Sequence, residues 1–304
     1  MAEVALVVMA YGTPASPADI EGYYTHIRRG NAPTPEQLAD LTARYAAIGG
    51  TSPLAERTEA QRAGLAAALE AAEPGRWTVA LGQKHAAPFI EDAVAQVAAA
   101  GVERVVGLVL APHFAGASVG QYQQRLHEAA ADRGIASAAV DDWHLEPAYV
   151  EFLAGAVRDG LAGLPERTKV LFTAHSLPAR ALVDDPYPDQ LQASASAVAE
   201  SAGLPRWTGW SVAYQSAGRT ADPWRGPDVL EVLDDLAASG SADGVLVCPQ
   251  GFVSDHLEVV YDLDIEARRR AESLGLAFAR TRVCNDDPGV LAALAARVRA
   301  LAPR

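Results

Sequence analysis

Side chains that could bind a metal ion or accept a proton follow two apolar runs in the second half of this chain. His175 comes directly after the run 169–174, and Glu258 lies shortly after the run 244–248. Imidazole and carboxylate groups together suit a borderline divalent metal such as Fe²⁺. Histidine also titrates near neutral pH, so the pair could accept protons. Two simpler interpretations stay open, in which His175 is a structural hydrogen-bonding group and Glu258 caps a helix.

Two further ring side chains follow apolar runs in the first half. Tyr11 comes after the run 4–10, and His113 follows the run 105–111. Continuous apolar runs of this kind are typical of strands buried in parallel sheets. Ligands bind at the carboxyl ends of such strands, so we expect both side chains to lie at a ligand crevice. For Tyr11, ordinary packing between domains is an equally good interpretation of the spacing.

Acidic residues recur at a helical spacing after the run 244–248. Glu258, Asp262 and Glu266 are four residues apart and share one face of a helix. The spacing Asp255-x-x-Glu258 predicts a capping box at the start of that helix. Like charges at this spacing cost a helix about 0.2–0.5 kcal/mol per pair. The row is either a solvated acidic face or a path that collects a divalent cation and passes it to the crevice.

Cations cluster in the first half of an otherwise acidic protein. Arg28, Arg29, Arg44 and Lys84 could hold the carboxylates of an acidic ligand. Neutralisation of a helix carboxyl end explains Arg28 and Arg29 equally well. The function of these two residues therefore stays open from the pattern alone.

Composition excludes several classes of protein. The net charge of −13 over 304 residues argues against nucleic acid as a partner. The only two cysteines, Cys248 and Cys284, cannot form a disulfide framework or a four-cysteine zinc or iron–sulfur site, so no iron–sulfur cluster is expected. No signal peptide or membrane span is recognisable, which favours the cytoplasm. Dinucleotide-binding, Walker A, serine-hydrolase-elbow and H-E-x-x-H motifs are missing from the sequence.

The alternation of strand and helix patterns predicts an α/β fold with parallel sheets. Two similar Rossmann-like domains are expected, residues 1–144 and 145–304, facing each other across a cleft, with a last helix that could pack back on the first. Ala10-Tyr11-Gly12-Thr13-Pro14 and Ala174-His175-Ser176-Leu177-Pro178 suggest the internal similarity. Strands are predicted at residues 4–10, 77–82, 105–111, 135–140, 169–174, 208–214, 244–248 and 276–280.

Longer motifs carry a resemblance to a known family. AYGTP, YYTHIRRG, RYAAIGGTSPL, KHAAPFIEDAV, LAPHF, TAHSLP, DPYPDQL and GFVSDHLEVVYDLDIE occur in this order along essentially the whole chain. They resemble ferrochelatases, most closely the coproporphyrin ferrochelatases of the Gram-positive type. The resemblance implies a two-domain chelatase fold. It also implies the insertion of Fe²⁺ into coproporphyrin III, with release of two pyrrole protons, in haem biosynthesis.

The resemblance also implies roles for individual residues. His175 and Glu258 would bind iron and accept protons on one side of the porphyrin, and Tyr11 would ligate the product iron from the other side. Glu258, Asp262 and Glu266 match an acidic row at which a second divalent ion, such as Mg²⁺, can sit. The positions that contact the porphyrin and its carboxylates in that family correspond here to Arg28, Arg44, Tyr45, Ser52 and Tyr122.

Three alternatives accompany this prediction. Protoporphyrin IX could replace coproporphyrin III as substrate, although the arginines favour the porphyrin with more carboxylates. A cobalt or nickel chelatase for a corrinoid precursor is disfavoured by length. A non-catalytic haem-binding or haem-delivery protein would need Tyr11 but not both His175 and Glu258. We expect a monomer whose partners are the porphyrin and a downstream enzyme of the haem pathway.

Overall fold

The fold is taken from a computed structural model, which describes residues 2–206, 209–218 and 222–303. Its strands lie close to the predicted ones, although residue 208, where one predicted strand begins, lies outside the described residues. The strands are β1 Val4–Ala10, β2 Trp77–Gln83, β3 Arg104–Val109, β4 Ala136–Val140, β5 Thr168–His175, β6 Trp210–Gln215, β7 Gly244–Cys248 and β8 Ala277–Arg280.

Helices connect these strands on both sides of each sheet. The α-helices are α1 Ile20–Ile27, α2 Pro35–Ala47, α3 Leu54–Ala72, α4 Ile90–Ala99, α5 Val119–Ala131, α6 Pro147–Leu161, α7 Tyr187–Ala202, α8 Val229–Ser239, α9 Arg268–Ser273 and α10 Pro288–Ala300. Two 3₁₀ turns, Pro17–Asp19 and Ala179–Leu182, and a π-helix, Glu258–Ala267, complete the described elements.

The strands form two four-stranded parallel sheets with the same topology. The first has the order β2-β1-β3-β4 and the second has the order β6-β5-β7-β8. All seven residues of β1 and all five of β7 are buried, as expected for central strands covered on both faces. The predicted α/β class, the parallel sheets and the repeated architecture are confirmed. Because β1, β3, β5 and β7 are central, their carboxyl ends lie where ligands bind in such folds.

The two sheets share one hydrophobic core along one of their faces. Leu6 of β1, Phe172 of β5 and Leu246 of β7 belong to the same buried cluster, together with Leu65 of α3 and Leu291 of α10. The last helix, α10, packs against α3. Burial of such side chains contributes about 1.5–3 kcal/mol each, so this shared core holds the two sheets in a fixed relation.

Close packing of α3 on α10 depends on one glycine. A Cβ atom added at Gly64 would overlap with Cδ1 of Leu291.

The chain segment that contains the predicted domain boundary, 144/145, connects β4 with α6. The division into residues 1–144 and 145–304 stays a prediction.

The segment after β7 differs from its prediction. The expected capping box at Asp255 is wrong, because the Asp255 carboxylate instead accepts a hydrogen bond from Asn285 Nδ2 at 2.9 Å and pairs with Arg280 at 3.2 Å. The helix that follows begins with π-type turns, and its N-cap residue, Leu257, offers no capping side chain. Such turns are rare and occur frequently at functional sites. Tertiary partners of Asp255 have therefore overridden a local pattern.

Candidate active site

A cavity of about 1180 Å³ lies between the carboxyl ends of the two sheets. It exceeds the range of about 300–1,000 Å³ that is common for small-molecule pockets. Of the residues singled out in the sequence, the following line it: Tyr11, Arg29, Arg44, Tyr45, Ser52, Lys84, His113, Tyr122, His175 and Glu258. Arg28, Asp262 and Glu266 are not among its lining residues. The strand ends therefore converge as parallel-sheet topology predicts.

Glu258 lies between two histidines on the wall formed by the second sheet. Its Oε1 atom is 3.6 Å from His175 Nε2, and its Oε2 atom is 3.5 Å from His256 Nε2. The side chains of His175 and Glu258 each keep 35% of their surface exposed to the cleft, whereas His256 keeps 16%. The imidazole and carboxylate groups therefore present nitrogen and oxygen ligands to anything that enters the cavity.

Charge coupling controls the protonation of this cluster. Burial favours the neutral imidazole of His175, but the facing Glu258 carboxylate outweighs it and raises the pKa of His175 to about 9. Burial alone would also raise the pKa of Glu258, but His175 and His256 hold that pKa well below its usual range. At neutral pH the pair is an imidazolium facing a carboxylate.

Neighbouring residues fix the orientation of the pair. His175 Nδ1 donates to the Ser176 carbonyl oxygen, so Nε2 faces Glu258. Gln215 Nε2 donates to the Glu258 carbonyl oxygen at 3.1 Å and is itself held by Thr173 Oγ1 at 2.9 Å. These contacts tie the first turn of the π-helix to the ends of β5 and β6.

A glycine lets the loop after β7 pass close to β5. A Cβ atom at Gly251 would lie 2.5 Å from Cβ and 2.8 Å from Cα of Ala174, the residue before His175. Gly251 N donates to the Thr173 carbonyl oxygen at 3.0 Å. The close approach brings His256 and Glu258, which follow in the same loop and helix, beside His175.

The acidic row extends from the cluster into the protein. Asp262 is buried, and its two carboxylate oxygens are engaged by Arg44 Nη1 at 3.4 Å and Ser216 Oγ at 2.5 Å. Burial and the negative charge of Glu258 raise the pKa of Asp262 to about 6. Glu266 adds a further negative charge to the surroundings of Asp262. Arg44 thus links α2 in the first half to the acidic row in the second half.

Tyr11 lies on the wall formed by the first sheet. It is 42% exposed, and its ring centroid is 4.6 Å from that of His85. Partial burial, followed by the charge of Glu258, raises the pKa of the Tyr11 phenol above its usual value. His85 Nδ1 lies 3.1 Å from His26 Nδ1, and burial together with Lys84 lowers the pKa of His85 to about 3. Both the phenol and the His85 ring are therefore neutral at neutral pH.

Polar side chains surround Tyr11 on the same wall. Tyr45 is buried and its hydroxyl lies 3.3 Å from Thr13 Oγ1, whereas Ser52 Oγ accepts a hydrogen bond from Leu54 N at 3.2 Å. The Lys84 ammonium lies 5.0 Å from the centroid of the Tyr122 ring. Burial and the nearby Arg125 lower the pKa of Lys84 to about 8. This wall therefore carries hydroxyl donors and a cation at neutral pH.

Arg28, at the end of α1, is not among the residues that line the cavity. Arg28 Nε donates to the Asn31 carbonyl oxygen at 3.2 Å, and its guanidinium lies 5.6 Å from the Tyr24 ring. Its neighbour Arg29, in a left-handed conformation with φ of 58°, lines the cavity instead. A contact between Arg28 and a porphyrin carboxylate stays a prediction.

Two histidines beside the central residues are among the lining residues that the predicted site lacked. His256 and His85 both line it, the first beside Glu258 and the second beside Tyr11. The spacing His256-x-Glu258 and the pair Lys84-His85 at the end of β2 were the available signals. Neither signal is specific, because each side chain meets its partner only through tertiary contacts.

Two kinds of feature are absent from the described residues. No group of three or more histidine, cysteine, aspartate or glutamate side chains in residues 2–206, 209–218 and 222–303 is arranged to hold a metal ion. Over the same ranges, no helix combines the length and the apolar character needed to cross a membrane.

Solved structures of low sequence identity share the fold of this chain. SirB from Bacillus subtilis, solved with Fe³⁺, superimposes with a TM-score of 0.59 at 12% identity, covering 98% of this chain and 94% of that one. CbiX, described as the terminal enzyme of sirohaem biosynthesis in denitrifying bacteria, superimposes with a TM-score of 0.55 at 14% identity, covering 99% and 100%. At such low identity these similarities establish the fold alone.

Sequence comparison then gives the family. The family model described as Ferrochelatase matches residues 3–301. A ferrochelatase of Herpetosiphon aurantiacus is 43% identical over 294 residues, 94% of this chain and 95% of that protein. The coproporphyrin III ferrochelatase of Bacillus subtilis is 43% identical over 300 residues, 96% of each chain. The chain belongs to the ferrochelatase family, as its motifs predicted.

Proposed function

We propose that this protein inserts Fe²⁺ into coproporphyrin III and releases two pyrrole protons, producing the iron porphyrin of a haem pathway. The observation that carries the proposal is the pair His175–Glu258, with 3.6 Å between Nε2 and Oε1, at the wall of a cavity shared by both sheets. The similarity to coproporphyrin III ferrochelatases over 96% of the chain supports the choice of porphyrin.

The chemistry requires a metal ligand and a proton acceptor on the same side of the macrocycle. Fe²⁺ is the substrate metal, and imidazole with carboxylate is a suitable donor pair for it. Two protein ligands are enough here, because the porphyrin supplies four nitrogen atoms. The low pKa of Glu258 keeps its carboxylate ionised and available as a ligand for the metal. The proton held on His175 must leave before its Nε2 can bind iron.

The other wall would hold the porphyrin and bind the product. Tyr11 would ligate the product iron from the side opposite His175. Ser52, Tyr45 and Tyr122 would contact the ring or its carboxylates, with Lys84 as a cation beside Tyr122. Arg44, now paired with Asp262, is close enough to the cavity to reach a carboxylate after a change of side-chain rotamer. Binding energy from the carboxylates would supply the macrocycle distortion that exposes nitrogen lone pairs.

Five finer statements remain part of the proposal. A Mg²⁺ ion at Glu258, Asp262 and Glu266 would first require Asp262 to release Arg44 and Ser216. The cytoplasmic location, the monomeric state and the two-domain boundary are predictions from the sequence. Delivery of the product to a downstream enzyme of the haem pathway is likewise a prediction.

Anaerobic Fe²⁺ insertion, followed by the shift of the Soret band, tests the proposal with coproporphyrin III and protoporphyrin IX in parallel. We expect faster turnover on coproporphyrin III, loss of turnover in His175→Ala and substantial turnover in Tyr11→Phe. Preference for protoporphyrin IX would overturn the choice of substrate. Absence of turnover on both porphyrins, combined with haem binding that depends on Tyr11, would identify a haem carrier instead.

A further inference from the structure

Helix α7, together with Asp185 just before it, contacts the loop that follows β3 through a row of hydrogen bonds that we call the seam. The loop belongs to the first sheet and the helix to the second. Three bonds form it: Gly116 N to Asp185 Oδ2 at 2.8 Å, Phe114 N to Gln190 Oε1 at 2.7 Å, and His113 Nε2 to Ser194 Oγ at 2.8 Å. Two backbone amides of the loop thus depend on side chains from the other half of the chain.

The direction of the last bond follows from its neighbours. Ser194 Oγ lies 3.0 Å from Gln250 Oε1 and 3.2 Å from the Leu191 carbonyl oxygen, and both of these atoms are acceptors. Gln250 Nε2 donates to the same Leu191 oxygen at 3.0 Å, which fixes the orientation of its amide. The single hydroxyl hydrogen of Ser194 is therefore donated, and Ser194 must accept from His113 Nε2–H.

Within the described part of the chain, the His113 ring makes a single hydrogen bond, through Nε2. The residue is 97% buried, since its relative exposure is 3%, and its Nδ1 atom has no hydrogen-bond partner among the described residues. A buried acceptor without a partner costs about 1–3 kcal/mol. Burial, followed by the nearby His144, lowers the pKa of His113 to about 3, so the ring is neutral and only one nitrogen donates. Burying an imidazole here costs stability if the ring only fills space, because Nδ1 is left unpaired. The ring is, however, a suitable hydrogen-bond donor to Ser194.

The same helix holds the strand end that carries His175. Tyr187, the first residue of α7, donates from its hydroxyl to the His175 carbonyl oxygen at 3.0 Å. At the end of β7, Tyr149 donates to the Gln250 carbonyl oxygen at 2.8 Å. The seam therefore joins the carboxyl end of β3 to those of β5 and β7. These are the positions from which the two walls of the cavity project.

We propose that the seam sets the separation of the two cavity walls and that His113 and Ser194 are positioning residues for metal insertion. This inference rests on the function proposed above. A porphyrin is a flat molecule that must be contacted from both walls at once, by Tyr11 on one side and by His175 and Glu258 on the other. Displacement of reacting groups by about 1 Å can cost on the order of 10²-fold in rate. Loosening the seam should therefore lower kcat more than it weakens porphyrin binding.

Single substitutions with a matched control test the proposal. His113→Leu and Ser194→Ala remove the bond, whereas His113→Gln restores an N–H donor near the position of Nε2. The control is Ser137→Ala, which removes an exposed bond of the same kind, 2.8 Å between Ser137 Oγ and His127 Nδ1, away from the cavity. We expect His113→Leu and Ser194→Ala to lower kcat about 10- to 100-fold with KM for the porphyrin changed less than threefold. His113→Gln should recover most of kcat, and the control should equal the wild type.

A second measurement does not depend on turnover. Amide hydrogen exchange at Phe114 and Gly116 should accelerate at least tenfold in Gln190→Ala and in Ser194→Ala, at temperatures where both variants are folded. Unchanged exchange, or an unchanged kcat in His113→Leu, would overturn the inference. A raised KM with normal kcat would do the same, because it would make the seam a binding element. If the wild type inserts no metal, the proposed function fails, while the exchange experiment still decides whether the seam joins the two walls.

Discussion

Replacing Glu258 with glutamine should release the proton that His175 holds at neutral pH. Glu258→Gln keeps the shape of the side chain but removes its charge. In the wild type His175 Nε2 faces Glu258 Oε1 at 3.6 Å, and the pKa of His175 is raised to about 9. Without the carboxylate, burial dominates, and burial favours the neutral ring. The pKa of His175 should then fall from about 9 toward its ordinary value of 6.5.

The magnitude follows from the geometry. Two unit charges at this separation attract each other by about 4–5 kcal/mol at an effective dielectric constant near 20. That energy corresponds to about three pH units. Because 35% of each side chain faces the open cleft, solvent screening lowers the effect, and we expect a drop of about two units or more. The raised pKa of His175 contributes stability that is fully present below about pH 6.5 and is lost as the pH rises through about 9.

An NMR titration of the His175 ring in the metal-free protein measures the effect directly. We expect a midpoint near pH 9 in the wild type and below pH 7 in Glu258→Gln. Glu151→Gln is the matched control, since it removes an exposed carboxylate that pairs with Arg158. A midpoint that stays near 9 in Glu258→Gln would refute the reasoning, because something other than this carboxylate would then retain the proton.

Three further predictions concern stability, packing and binding. Asp262→Asn should gain stability relative to the wild type as the pH rises from 4 to 7, by up to about 3 kcal/mol, because the folded-state pKa of Asp262 is raised from 3.8 to about 6. Measurement of Tm across this pH range checks the prediction. A difference in Tm between variant and wild type that stays constant with pH would contradict it. Gly251→Ala should destabilise the fold by about 1–3 kcal/mol and reduce turnover, because the new Cβ would lie 2.5 Å from Ala174 Cβ. The control Gly22→Ala, which has open space around it, should be neutral or slightly stabilising. Equal changes of Tm in the two variants would refute the packing argument. At pH values above 8, KM for coproporphyrin III should increase, because Lys84, whose pKa is about 8, loses its charge. Lys84→Arg should remove this increase. An increase that persists in Lys84→Arg would exclude Lys84 as its source.

The sequence by itself determined the class of fold and the carriers of the site. Continuous apolar runs such as 4–10 and 244–248 predicted the central strands correctly, because a strand that is buried on both faces must be apolar throughout. Parallel strands end at a common edge, and the two sheets were expected to face each other across a cleft. Tyr11, after the first of these runs, and Glu258, after the second, were therefore predicted to lie at that cleft, and both line the cavity. The motifs gave the family, which sequence comparison confirmed.

Only the tertiary structure decided how the site residues pair. Asp255 meets Arg280 and Asn285 rather than capping a helix. Arg44 reaches Asp262 across 218 residues of chain. Local spacing reports which face of an element is buried, but it carries no information about side chains brought together by the docking of two sheets. Burial and unlike charge then set the protonation of His175 and Glu258, and these depend on distances that exist only in the folded protein.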